Sequence, residues 1–145
     1  MTTTNQRGMM ISYLDPKLPP IALKATEVDL VWNAAENGAD VQPRTSAFLK
    51  SEIGRAEILV DSRVLRGLVA MNCMVTFLDV DTRRETTVEL VFPEAADEAA
   101  RKISVLSPLG ASLLGMSVGQ KIQFMDEGER PRSIIVTRAI PIPRP

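Results

Sequence analysis

Apolar positions in this 145-residue chain change their period near its middle. Val28, Val31, Trp32 and Ala35 recur at helical spacing, so the pattern predicts a first helix over Thr26–Asn37. Thr26 with Asp29 three residues on reads as a capping box, and Asn37–Gly38 as a stop in the left-handed conformation. Pro43 suits the first turn of a second helix, whose apolar face is Phe48, Leu49, Ile53 and Ala56. Two such helices with about five residues between them predict an antiparallel αα-hairpin over 21–60, with Trp32 as a staple between them.

Beyond a charged connector at 61–69 the period becomes two. Cys73, Val75 and Phe77 alternate with Met74, Thr76 and Leu78, a strand expected to be buried on both faces. Asp79–Thr82 is a turn cluster, and Thr86–Phe92 is a half-buried strand that Pro93 ends; Glu94–Ala100 reads as loop. Ile103–Leu106 follows as a strand. Ser107 and Pro108 then have the chemistry of a helix N-cap and first helical residue. Leu109, Leu113 and Leu114 give that short helix a buried face, and Gly115 stops it. A turn at Val118–Gly119, a strand from Lys121 to Phe124, a loop over Asp126–Arg132 and a strand over Ser133–Ala139 complete the pattern. In that last strand Ile134, Val136 and the stem of Arg138 share one side. The expected class is α+β: a helical hairpin, then a small antiparallel sheet with one short helix over 70–140. Residues 1–20, rich in Thr, Asn, Gln and Pro, read as a disordered lead-in, and 141–145 as a proline-rich tail.

Composition removes more chemistry than it offers. There is no histidine, which excludes histidine nucleophiles, bases and metal ligands. It also excludes a nucleoside diphosphate kinase, whose phosphoryl carrier is histidine. Cys73 is the one cysteine, so neither an internal disulfide nor a zinc cluster is possible, and its apolar neighbours suit a buried thiol. Net charge is −1, with six Lys/Arg against seven Asp/Glu in residues 1–60 and eleven of each in 61–145. Without a basic stripe, nucleic acid is reached only through a partner. No apolar run approaches the ~18 residues of a membrane span, and no secretion signal is visible. The expected location is cytoplasmic, and no cofactor or metal is called for.

One motif is specific. Ser107, Pro108, Gly110, Leu113, Leu114, Gly115, Val118 and Gly119 follow a strand in the pattern S-P-x-G-x-x-L-L-G, then V-G and another strand. This resembles the C-terminal domain of the bacterial Gre transcript-cleavage factors, and Val75–Glu85 is similar to that family's first hairpin. The likeness covers residues 70–139. Within the superfamily, Val69, Met71 and Asn72 before a strand look like the branch of nucleoside diphosphate kinase regulators. The resemblance implies an FKBP-like C-terminal domain, a coiled-coil-like hairpin and docking at the secondary channel of RNA polymerase. It places the contact at Ser107, Pro108, Leu109 and Gly110. It also makes Glu36 and Asp40 the hairpin-tip candidates, since Gre tips carry acidic metal donors.

Length argues against that last role. At about 1.5 Å per residue the first helix spans roughly 18 Å, whereas Gre helices of about 30 residues span about 45 Å. The expectation is a non-enzymatic, monomeric regulator that competes with Gre factors. The alternatives are an active cleavage stimulator and an FKBP-like prolyl isomerase. Against the isomerase stand the few aromatics of the sheet region, Phe77, Phe92 and Phe124. Direct modulation of nucleoside diphosphate kinase has no residue in its favour: there is no P-loop.

Overall fold

The computed structural model describes residues 18–60 and 66–142. Most of the stretch read as a lead-in, the core of the charged connector and most of the tail lie outside the described residues. The chain runs β1 (Ala22–Lys24), α1 (Ala25–Asn37), α2 (Pro43–Arg55), β2 (Glu57–Leu59), β3 (Cys73–Asp79), β4 (Glu85–Val91), β5 (Lys102–Ser104), α3 (Pro108–Leu113), β6 (Lys121–Met125) and β7 (Pro131–Pro141). Two 3-10 turns, Pro93–Ala95 and Glu98–Ala100, occupy the stretch read as loop.

Both helices form where the apolar spacing puts them. Val31 and Ala35 are the buried positions of α1; Thr45, Leu49 and Glu52 line up at helical spacing on the buried side of α2, whose first residue is Pro43. The buried Ser46 hydroxyl donates to the Ala35 carbonyl at 2.7 Å and ties the two helices together. Buried Glu52 accepts a bidentate pair from Arg55 at 2.6 and 2.8 Å. That pairing satisfies a charge that would otherwise be costly to bury.

Three local expectations need correction. The N-cap of α1 is Lys24, with no side-chain cap, so Thr26 sits inside the first turn rather than before it. The backbone of β1 leads straight into the helix and leaves no loop position for a threonine cap. Gly38 is not left-handed; its φ is −98°. The glycine leaves room for Leu106: a Cβ there would fall 2.3 Å from Leu106 Cδ1 and make that side chain shift. The turn between the helices is therefore pressed against the segment that follows β5. Trp32 joins the helices at the surface rather than through the core: it is 40% exposed, and the Lys50 ammonium of α2 lies 5.1 Å from its ring centre.

The sheet has the order β5-β4-β3-β7-β6. It is antiparallel except at one edge, where β5 runs parallel to β4. The expectation of a wholly antiparallel sheet fails there because the two 3-10 turns carry the chain back across β4 before β5 begins. β3 is buried on one face only: Cys73, Val75, Phe77 and Asp79 point inward, while Met74 is exposed. A register shift opposite Thr76/Phe77 changes the parity of β7. Ile134 and Val136 are buried before it and Ala139 after it, which turns Arg138 outward, against the expected alternation.

β1 and β2 form a separate parallel pair at the roots of the helices, pairing Ala22 with Glu57. The Ala22 amide also donates to the Gly115 carbonyl at 3.1 Å, which fastens this pair to the end of α3. Gly115 has φ +85°, as a helix stop requires. One buried cluster joins everything: Leu23, Val31, Ala35 and Leu49 from the N-terminal half meet Val69, Val75, Leu90, Leu113, Met116 and Val136 from the rest.

Asp79 locks the far end of the sheet. Its Oδ1 accepts from the Asp81 and Thr82 amides at 2.9 and 3.0 Å, and its Oδ2 accepts from Arg132 Nη2 at 2.6 Å. The Thr82 amide first, then Arg132 and the Asp81 amide, hold its carboxyl below the usual range against the opposing effect of burial. A lowered folded-state value means this support is complete above about pH 4, the ordinary carboxylate value, and fades as pH falls below it. Asp79→Asn keeps an acceptor for the turn but loses the ion pair. The expected outcome is a loss of about 1–2 kcal/mol at pH 7 and a flatter decline in stability as pH falls below about 4, read by urea unfolding across pH.

Candidate functional site

The segment Ser104–Gly115 is built on backbone demands. Ser107 is the N-cap of α3: its Oγ accepts from the Gly110 amide at 3.0 Å and donates to the Ser104 carbonyl at 2.7 Å. The Leu106 amide donates to Ser104 Oγ at 2.9 Å. Gly110 is buried, and a Cβ there would fall 2.0 Å from the Ser104 carbonyl oxygen. Leu113 and Leu114 are core residues, 0% and 3% exposed. Of the four docking candidates, Gly110 is turned inward by packing, while Ser107, Pro108 and Leu109 are half-buried and reach the surface.

Those three line one side of a cleft of about 360 Å³. Ile103 and Phe124 give it an apolar wall, and Glu98, Asp126, Glu127 and Arg132 give it a charged rim. The sequence motif did not reveal this rim. Asp126 looked like a plain turn residue, and as such it does accept from the Gly128 and Arg130 amides, both at 2.9 Å. These bonds, the Arg130 amide first, keep its carboxyl below the usual range. Its place beside α3 follows from the β6–β7 pairing, which no local signal announces.

The two tip candidates sit on either side of the end of α1. Glu36 lies on α1 and pairs with Lys50 of α2, and Asp40 is exposed in the turn between the helices. Among the described residues there is no group of three or more His, Cys, Asp or Glu side chains arranged to hold a metal ion. Cys73 is buried, and burial pushes its thiol upward, away from the thiolate a nucleophile needs. Among the described residues no helix is long and apolar enough to cross a membrane.

This fold and motif have known counterparts. Residues 65–136 match the family "Transcription elongation factor, GreA/GreB, C-term". Transcription elongation factor GreA of Chlorobium phaeobacteroides is 37% identical over 113 residues, 74% of this chain and 71% of that protein. GreA of Thermodesulfovibrio yellowstonii is 35% identical over 74 residues, 51% of this chain and 47% of that one. The chain spans about half the length of the first such relatives it matches. A solved structure, the prokaryotic transcription elongation factor GreA/GreB from Nitrosomonas europaea, shares the fold. Its TM-score is 0.66 at 24% identity, covering 84% of this chain and 98% of that one. The sequence match to the Chlorobium protein, rather than the fold alone, is long enough to define the class as the transcription elongation factors. The chain belongs to the GreA/GreB family.

Proposed function

We propose that this chain binds RNA polymerase at its secondary channel and competes there with cleavage factors, without supplying cleavage itself. One observation carries the reading. α1 has only 13 residues, about 20 Å of helix, and the turn after it packs on Leu106 rather than standing clear of the body. An arm that reaches the polymerase centre needs about 45 Å by the same rise. Glu36, already paired with Lys50, is poorly disposed to hold a second magnesium ion. Docking falls to the exposed side of the α3 cap, chiefly Pro108 and Leu109, within an FKBP-like C-terminal domain. The branch of nucleoside diphosphate kinase regulators fits the approach to β3. Val69 is fully buried there, and Asn72 takes a left-handed φ of 58° that asparagine tolerates better than most residues.

The test uses purified chain with core polymerase. Co-elution is expected, along with suppression of GreA-stimulated cleavage of backtracked transcripts. The chain alone should produce no cleavage. Leu109→Ala should weaken binding about tenfold, a loss of about 1.4 kcal/mol. Cleavage by the chain alone, lost in the Glu36→Ala, Asp40→Ala double variant, would replace this reading with that of an active stimulator.

A further inference from the structure

A second groove, about 570 Å³, opens between the first turn of α2, α3 and β6. Its apolar lining comes from Phe48, Phe124 and Met125, the last 53% exposed. Two of its polar lining groups are unusual. Thr45 and Ser112 are 7% and 4% exposed, and neither hydroxyl has a hydrogen-bond partner among the described residues. Buried hydroxyls are ordinarily satisfied, so a groove lined by two free ones is suited to a ligand that offers polar backbone groups.

β6 supplies the matching half. Among the described residues it pairs with β7 on one side and with no strand on the other. The Val136 amide donates to the Gln120 carbonyl and the Asp126 amide to the Arg130 carbonyl. Antiparallel alternation then directs the backbone groups of Ile122 and Phe124 toward β7. Those of Lys121, Gln123 and Met125 face outward. Such an edge is a template for one more strand.

Charge selects what that strand carries. The charged residues lining the groove are Asp126, Glu127 and Glu129 against Arg44. Arg44 lies 3.8 Å from Glu129 and Arg132 lies 3.7 Å from Asp126, so three carboxylates meet two guanidinium groups. The rim is thus acidic beside an apolar lining.

We propose that this groove takes an extended segment of a partner protein, added as a strand on β6, in which aliphatic side chains alternate with lysine or arginine. Period-two alternation puts the aliphatic set against Phe48 and Phe124 and the basic set toward Glu127 and Glu129. The inference does not depend on the polymerase reading. Ser107 and Leu109 border only the neighbouring cleft, although Pro108, Phe124, Asp126 and Glu127 line both.

The probe is a capped hexapeptide of alternating Lys and Val, titrated into the full chain and followed by amide NMR shifts. Saturable binding is expected, with shifts concentrated on Lys121–Met125 and Thr45. The Glu/Val counterpart, and the Lys/Val peptide with a central proline, should each bind at least about tenfold more weakly. The Met125→Lys, Glu129→Lys double variant changes two exposed residues and should weaken the Lys/Val peptide by about tenfold while keeping its folded spectrum. Absence of saturation below about 1 mM, equal binding of the acidic peptide, or shifts away from β6 would overturn the proposal. Polymerase co-elution of the same variant is a separate readout, so failure of one idea is distinguishable from failure of the other.

Discussion

Gly110→Ala should lose about 3 kcal/mol or more of folding stability, a shift of about 1.5–2 M in the urea midpoint. The added methyl would sit 2.0 Å from the Ser104 carbonyl oxygen and 2.9 Å from its carbon. Both atoms are backbone, so no rotamer change relieves the clash. Ser104 cannot retreat freely either: its hydroxyl and carbonyl hold Leu106 and Ser107, and β5 pairs Ser104 with Val91 of β4. The strain must therefore be met by moving α3 as a unit, which would uncover Leu113, Leu114 and Met116. A variant with wild-type stability would show that the β5–α3 connection is looser than its hydrogen bonds imply.

Leu49→Ala should lose about 3 kcal/mol, and it should lower the stability of helices and sheet together. Leu49 is fully buried in the cluster that runs from α1 and α2 into β3, β4 and β7. Truncation leaves a cavity between layers rather than on one side of them. Trp32 is the one tryptophan in the chain and lies on α1, so its fluorescence reports the helices. Circular dichroism in the strand region reports the sheet. Coincident midpoints are the expected result, in the variant as in the parent. Loss of the Trp32 signal well before the sheet signal would mean that the helical pair is only loosely attached.

Local chemistry made much of this legible. Pro43, Ser107–Pro108 and Gly115 sit at helix ends because backbone geometry admits few other residues there, and such rules act within a few positions. The period-two strands were equally readable. What stayed hidden needed distant partners. β1 and β2 are three residues each and pair across the whole helical pair, so neither has a pattern of its own. The β7 register shift reverses inward and outward faces at Thr137 without any glycine or proline to mark it. Of the site, the Ser107–Leu109 surface was legible from the motif. The charged rim from Glu98, Asp126 and Arg132 was not, since three separate segments of sequence build it.

Gly38 has a further consequence, for how such a helical pair can change length in evolution. With its turn against Leu106 and its roots fastened by β1 and β2, the pair borrows its stability from the body beneath it. Isolated helices of this length are marginal in water. Any turns inserted beyond Gly38 would overhang the body and have only each other to zip against. A modest extension would therefore fray, while a long one with its own apolar seam would hold. Short pairs lying on the body and long self-supporting ones are the two stable designs, and this chain is of the first kind.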